Sequence, residues 1–220
     1  MNTILVFDVE TTGLLPKNPH DPYPSVLQLS YLLYDIPTKT IIEEKNAFIR
    51  VPESTVITPF VTELTGITRE KVDTEGIDIR EALADFYETY KKADALVAHN
   101  MNFDLTLLYS ESKKYYPELG ETIRQDKKPM YCTMQEGINI CKLQRFNKYG
   151  PYYKFPTLAE LYGLYFCVVP ENLHDARVDV LCCLRCFLYM KFEYTIHTDD
   201  FAKLTLSITP TKKKNETNFL

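Results

Sequence analysis

The sequence contains no apolar run approaching the roughly 18 residues that a helix needs to cross a bilayer. Its first residues also lack the basic stretch, apolar core and cleavage site of a secretory leader. Six cysteines among 220 residues are too sparse for a disulfide scaffold, which favours a reducing compartment. These absences predict an intracellular protein, cytoplasmic or nuclear, that is not secreted and has no membrane partner.

An excess of positive charge is missing as well. The formal net charge is −5, from 25 basic and 30 acidic residues. This balance argues against a protein that coats nucleic acid non-specifically through a broad basic surface. It permits an enzyme that grips nucleic acid locally, because bound metal ions would offset several of the acidic charges.

Three of the cysteines cluster near the end of the chain, at Cys182, Cys183 and Cys186. The last two form a Cys-x-x-Cys, a motif of zinc and redox sites, but no second pair stands at metal-ligand spacing. All three lie on one helical face, three, four and seven residues after Asp179. The spacing therefore predicts small buried side chains that pack a helix against a sheet.

The order of the predicted elements indicates an α/β fold. Strands are predicted over Thr3–Val9, Val26–Asp35 and Ile41–Val51, which together form a meander. Strand and helix patterns then alternate, with a buried strand in "DALVAHN", a helix directly after it, and a long final helix from Asp175. This order predicts a mixed central β-sheet flanked by helices.

The first strand contains two carboxylates, Asp8 and Glu10, inside an otherwise apolar run. Residues two apart in a strand point to the same face. Two like charges side by side in a core cost several kcal/mol, or force one group to protonate, unless a cation neutralises them. The pair therefore predicts a bound cation.

Two further acids occupy unusual positions. Asp104 opens the helix after the fourth strand, where Asn100 or Asn102 is available as the N-cap, and Asp179 lies on the inward face of the last helix. Four converging carboxylates suit Mg²⁺ or Mn²⁺, and are enough for a two-metal site of the kind that displaces groups at phosphorus. His174 lies just before the last helix and is a candidate base, since imidazole exchanges protons near neutral pH.

Three segments carry a family resemblance: "FDVETTG" (Phe7–Gly13), "AHNMNFD" (Ala98–Asp104) and "HDARVD" (His174–Asp179). In this order they resemble the three motifs of the DEDDh 3′–5′ exonucleases, which include the proofreading subunit of DNA polymerase III and stand-alone DNA- and RNA-trimming enzymes. The resemblance implies an RNase H-like fold, and the exonuclease domain is predicted over residues 1–195. Residues 196–220 are predicted to be a C-terminal extension and loose tail, because the end of the chain is polar and lacks periodicity.

The resemblance also implies roles for individual residues. Asp8, Glu10, Asp104 and Asp179 would bind two Mg²⁺ or Mn²⁺ ions, and His174 would be the general base that completes the catalytic set. The expected reaction releases 5′-mononucleotides from a 3′ end.

Substrate contacts follow from the same resemblance. Thr11, Thr12, Gly13 and Leu14 would line the pocket of the terminal nucleotide, with Leu14 against its base. Phe103 either stacks on the substrate or packs in the core, and Asn100 either orients the strand or caps the helix.

A separate segment, Cys141–Phe155, combines basic and aromatic residues. Four basic residues alternate with aromatic ones, and no acid occurs between Gly137 and Ala159. Phosphates need positive charge and bases need rings to stack on, so the segment favours a path for a single strand, with Arg145 and Lys148 as contacts. The competing interpretation is a solvated loop over the core.

The sequence leaves two other functions open: a catalytically silent nucleic-acid-binding module, and a proofreading subunit that acts with a separate polymerase. No motif carboxylate is missing, which argues against the silent module. DNA versus RNA preference and the oligomeric state stay open, since motif spacing fixes neither.

Overall fold

The computed structural model describes residues 1–18, 20–168 and 172–196. The strands are β1 (Thr3–Thr11), β2 (Val26–Asp35), β3 (Thr40–Phe48), β4 (Ala95–Ala98), β5 (Met130–Cys132), β6 (Gln144–Asn147) and β7 (Gly150–Tyr153). The helices are α1 (Pro59–Thr65), α2 (Arg69–Thr74), α3 (Ile79–Lys92), α4 (Met101–Tyr115), α5 (Pro117–Gln125), α6 (Thr133–Cys141), α7 (Leu158–Phe166) and α8 (Ala176–Phe192). The predicted tail, apart from its first residue Ile196, lies outside the described residues.

Five strands form one mixed sheet in the order β3-β2-β1-β4-β5. The β1–β2 and β2–β3 pairs are antiparallel, whereas β1–β4 and β4–β5 are parallel. The first three strands therefore form the predicted meander, and the later strands return through helical crossovers. This arrangement confirms the predicted α/β fold with a mixed central sheet.

Alternation along β1 explains how helices cover both faces of the sheet. Leu5 and Phe7 are buried in a cluster with residues of α3 and α4. Ile4 and Val6 are buried in a second cluster with residues of α7 and α8. Because β1 lies at the centre of the sheet, its even-numbered side chains face α8 and its odd-numbered side chains face α3 and α4.

The three clustered cysteines are free thiols on the buried face of α8, in the cluster that includes Ile4 and Val6. This confirms the predicted packing role. Burial also raises the pKa of each of these thiols, which keeps them protonated.

Some boundaries differ from the sequence prediction. The third strand ends at Phe48 rather than Val51, because Ile49 leaves the ladder and forms an isolated bridge with Ile77. The segment after α6 forms a two-stranded hairpin, β6–β7, where the sequence predicted no strands. Among the helices of the described ranges, none has the length and apolar character required to span a membrane.

Candidate active site

Asp8 and Glu10 continue the face of β1 that begins with Ile4 and Val6. Lower on the strand this face is sealed by α8, whereas Asp8 and Glu10 are only partly buried at its carboxyl end. The register places Asp8 opposite Ser30 and Glu10 opposite Gln28. The alternation that predicted a shared face is therefore present in the sheet, and this face points toward the start of α8.

Asp104 reaches the same edge from the other side of the sheet. Strand β4 ends at Ala98, so the backbone of β1 beyond Val6 has no parallel partner there. The unpaired N–H of Val9, between the two carboxylates, donates to Asp104 Oδ1 at 3.2 Å. The first turn of α4 thus places a buried carboxylate beside Asp8 and Glu10.

Asp179 lies in the first turn of α8, one turn after the N-cap residue Asp175. The side chain of Asp175 accepts hydrogen bonds from the N–H groups of Arg177 and Val178, which fixes the start of the helix. The backbone N–H of His174 lies 3.4 Å from both carboxylate oxygens of Asp179.

One ligand atom from each of Glu10, His174 and Asp179 lies within 4.8 Å of the others. The imidazole is exposed, whereas the two carboxylates are partly buried. Asp8 and Asp104 adjoin this group and are close enough for their charges to act on one another. The structure therefore brings all five predicted residues to one edge of the sheet.

Burial, reinforced by the charges of neighbouring acids, raises the pKa of all four carboxylates. Burial, and then the charges of Asp104, Asp179 and Glu10, raise the pKa of Asp8. Burial and the neighbouring acids raise the pKa of Glu10 to about 8.

Burial raises the pKa of Asp179 to about 7, against the lowering effect of the His174 N–H. Burial also raises the pKa of Asp104. The cluster therefore carries an electrostatic cost that a cation would remove.

The donor set fits a hard divalent cation. Asp104 Oδ2 is buried and has no hydrogen-bond partner among the described residues. Within the same part of the chain, no lysine or arginine forms an ion pair with any of the four carboxylates. Carboxylate oxygens are the ligands that Mg²⁺ and Mn²⁺ prefer, and histidine stands beside them.

The segment Thr11–Leu14 turns away from the end of β1. The β1–β2 register shifts between Glu10 and Thr11, and a bulge of this kind bends a strand next to a site. Thr11 Oγ1 donates to the Gly13 carbonyl at 2.6 Å, and Thr12 Oγ1 accepts from Ser25 N–H at 3.0 Å. Leu14 is 85% exposed, so its side chain is free to contact a ligand.

The structure decides between the two predicted roles of Asn100 but not between those of Phe103. Asn100 occupies the N-cap position of α4, but its backbone is left-handed at φ 79° and its side chain makes no capping hydrogen bond. The capping interpretation is therefore wrong for this side chain. Phe103 packs partly against the core cluster of β1 and α3 and keeps the remainder of its ring accessible.

Arg145 and Lys148 lie on the β6–β7 hairpin, away from the carboxylates along the chain. Both are exposed, and Lys148 Nζ stands 4.9 Å from the ring centroid of Tyr149. The sequence pattern thus identified a surface element, although it did not identify its strands.

Sequence reasoning missed two residues that support the site. Gln28 is fully buried opposite Glu10, and its Oε1 accepts from the N–H of Ala176. His99 directly follows β4 and contacts Thr133 and Pro156 through its two ring nitrogens. The available signals were a lone amide in the apolar strand "VLQLSYLL" and the histidine inside the second motif.

The chain is similar to known proteins at the level of a family model, of individual sequences and of solved structures. A family model described as an exonuclease matches residues 5–187. The chain is similar to the PolC-type DNA polymerase III of Caldanaerobacter subterraneus, at 36% identity over 79% of this chain and 11% of that protein. The corresponding protein of Mycoplasma genitalium is 29% identical over 86% of this chain. The chain spans 11% of the length of these curated relatives.

Solved structures show a similar fold. E. coli exonuclease I in complex with a dA16 oligonucleotide matches with a TM-score of 0.63 and 16% identity, covering 94% of this chain and 43% of that one. Cell-death related nuclease 4 matches with a TM-score of 0.62 and 20% identity, covering 89% of this chain and 65% of that one.

Proposed function

Because the chain belongs to the exonuclease family, with the RNase H-like fold that its three motifs predicted, we propose that it is a 3′–5′ exonuclease. It hydrolyses the terminal phosphodiester bond of DNA or RNA and releases 5′-mononucleotides. The observation that carries this proposal is the meeting of four carboxylates and His174 at one edge of the sheet. No residue of this set is missing, which argues against a silent binding module.

Asp8, Glu10, Asp104 and Asp179 are the proposed ligands of two Mg²⁺ or Mn²⁺ ions. When bound, these ions supply Lewis-acid stabilisation of charge on the phosphoryl oxygens. Three elements hold the ligands: β1 contributes two, and the first turns of α4 and α8 contribute one each. The Val9 N–H fixes one oxygen of Asp104 and leaves the other available.

His174 is the proposed general base. Its ring is exposed at the edge of the carboxylate group, where an attacking water has access from solvent. Its backbone N–H contacts Asp179, so the residue is held next to the proposed ligands while the imidazole takes the proton from the water.

Thr11, Thr12, Gly13 and Leu14 are proposed to contact the terminal nucleotide. The turn that they form is tied to Ser25 and starts directly after Glu10. Leu14 would contact the terminal base with its exposed apolar side chain, and backbone groups of the turn would contact the 3′-hydroxyl. Asn100, whose side chain does not cap α4, and the accessible part of the Phe103 ring are the remaining proposed contacts to the substrate. Both belong to the segment that carries Asp104.

The test is degradation of 5′-labelled single-stranded DNA and RNA oligonucleotides with Mg²⁺ or Mn²⁺. We expect products that shorten one nucleotide at a time from the 3′ end, together with 5′-mononucleotides identified by mass spectrometry. Asp179→Asn is expected to be inactive, and Asp73→Asn is the matched control, because Asp73 pairs with Arg69 on a distant helix. Release of no mononucleotide from either polymer would overturn the proposal.

The PolC-type relatives favour a second candidate, proofreading together with a polymerase. In that role the same chemistry would act on a mismatched 3′ end delivered by the polymerase. Preferential removal of a mismatched terminal nucleotide over a paired one, increased when a polymerase is present, would identify this role.

A further inference from the structure

The β6–β7 hairpin is an isolated two-stranded sheet with little cover on either face. Its pairs are Gln144 with Tyr153, Arg145 with Tyr152, Phe146 with Pro151, and Asn147 with Gly150. Isolated hairpins are marginal in water, so an ordinary one buries its apolar residues against a core. This hairpin instead exposes 76% of Phe146 and 86% of Tyr149.

Opposed residues in an antiparallel pair share a face, so the register assigns each side chain to one side of the hairpin. One face carries Phe146 and Tyr153, and the other carries Arg145 directly opposite Tyr152. Tyr152 and Tyr153 are each nearly half exposed. Each face thus offers at least one accessible ring, and one face sets a guanidinium beside a ring.

The charge of the hairpin contrasts with the rest of the chain. Lys142, Arg145 and Lys148 are exposed, and within the described residues none of them forms an ion pair with an acid. The fourth basic residue, Lys154, is paired with Glu160 at the base of the hairpin. The hairpin is therefore a cationic, aromatic surface on a protein of net charge −5.

The base of the hairpin is fixed to the edge of the sheet that carries the carboxylates. Pro156, three residues after β7, is buried, and its carbonyl lies 3.2 Å from His99 Nε2. His99 follows β4 directly, at the carboxyl end of that strand and two residues after Val97, which pairs with Val6 on β1. His99 Nδ1 also lies 2.9 Å from Thr133 Oγ1, at the start of the helix that leads into the hairpin.

We propose that the β6–β7 hairpin binds single-stranded nucleic acid and holds the segment upstream of the 3′-terminal nucleotide. Every base can stack on an aromatic side chain, and basic side chains without an acidic partner can contact phosphates. This surface therefore fits a single strand of any sequence. The direction of the strand rests on the proposed function, because the hairpin starts from the edge that carries Asp8. The binding itself does not depend on catalysis.

The test compares Phe146→Ser/Tyr149→Ser with wild type for binding of fluorescein-labelled dT20 and rU20, measured by anisotropy without metal. Stacking on aromatic residues contributes about 1–3 kcal/mol per base, so the double variant is expected to weaken binding at least about tenfold. Phe146→Tyr/Tyr149→Phe keeps both rings and is expected to retain wild-type binding. Lys113→Gln/Tyr115→Ala, at the far end of α4, is the matched surface control.

A second measurement separates this inference from the proposed function. The p-nitrophenyl ester of thymidine 5′-monophosphate is a single nucleotide with no upstream segment, so it reports on the carboxylate site alone. We expect the ratio of kcat/KM for dT20 to that for the ester to fall at least about tenfold in the serine variant. If wild type cleaves neither substrate, the proposed function fails, and the anisotropy result still decides the role of the hairpin.

A change in dT20 and rU20 affinity of less than threefold in the serine variant, equal to that of the control, would overturn the proposal. Loss of affinity for only one of the two polymers would support it and would identify that polymer as the ligand. The native circular dichroism spectrum is expected in both hairpin variants, because Phe146 and Tyr149 are each more than three-quarters exposed.

Discussion

The side chain of Gln28 accepts a hydrogen bond from the backbone N–H of Ala176 at 3.4 Å, across 148 residues of sequence. The same side chain donates through Nε2 to Asn46 Oδ1 at 2.9 Å. The first N–H groups of a helix have no partner within the helix. In α8 the side chain of the N-cap residue Asp175 accepts from the N–H groups of Arg177 and Val178. Gln28 accepts from the N–H of Ala176.

Gln28 is therefore a positioning residue for the motif that contains His174 and Asp179. Gln28→Met removes both hydrogen bonds at nearly constant volume and leaves a buried N–H unpaired, which costs about 1–3 kcal/mol in the free energy of unfolding. We expect kcat on oligonucleotides to fall while the KM stays near that of wild type. Urea unfolding and steady-state kinetics measure the two effects, and a variant with lower stability but unchanged kcat would contradict the positioning role.

Asp8→Asn is expected to have opposite effects on stability with and without divalent metal. In the metal-free protein it removes one charge from a cluster in which burial and four neighbouring acids raise the pKa of Asp8. The free energy of unfolding should then increase by about 1–2 kcal/mol. Thermal unfolding in EDTA measures this gain.

Added Mg²⁺ or Mn²⁺ should raise the melting temperature of wild type more than that of Asp8→Asn, because ligand binding to the folded state stabilises it. Asp73→Asn serves as the control and should respond to metal as wild type does. Equal metal responses in wild type and Asp8→Asn would show that Asp8 is not a ligand.

Strand periodicity and paired acids made the centre of the site predictable. The alternation of β1 fixed the shared face of Asp8 and Glu10, and the motif order identified Asp104 and Asp179 as their partners. Contacts between distant segments were not predictable in the same way. The buried amide of Gln28 has no local signature, because its partner lies in a helix that only the tertiary fold brings near.

The hairpin was missed for a different reason. Its strands are four residues each, one contains Pro151, and aromatic residues occupy both faces, so no alternation of apolar and polar residues marks them. The left-handed backbone of Asn100 could not be predicted from the sequence either, since an asparagine before a helix more often caps it through its side chain. Composition still indicated a basic and aromatic surface, which is the property that the structure displays.

His174→Asn is expected to lower kcat by about 10²- to 10⁴-fold, the usual contribution of a general base. Asparagine is the suitable replacement because the backbone at this position is left-handed, with φ 75°, a region that asparagine tolerates. The stabilisation of the protein by Mg²⁺ or Mn²⁺ should be retained, since the four carboxylates are untouched. Loss of that stabilisation would instead assign His174 a direct role in metal binding.

His99 predicts a specific loss of stability in acid. Burial lowers its pKa to about 4, against the opposing effect of its hydrogen bond with Pro156, whereas an exposed histidine has a pKa of about 6.5. The Pro156 carbonyl only accepts, so Nε2 carries the proton and Nδ1 accepts from Thr133. Between these two pKa values the unfolded chain binds a proton that the folded protein does not.

The contribution of neutral His99 is therefore present above pH 6.5 and is lost as the pH falls toward 4. We expect His99→Gln to flatten the pH dependence of the free energy of unfolding in this window by about 2–3 kcal/mol relative to wild type. Urea unfolding of both proteins across the window measures the difference, and taking the difference cancels the opposite trend of the carboxylates. If the free energies of unfolding of the two proteins change in parallel with pH, His99 titrates normally in the folded protein. Its protonation would then not disturb the hydrogen bond with Pro156 at the base of the hairpin.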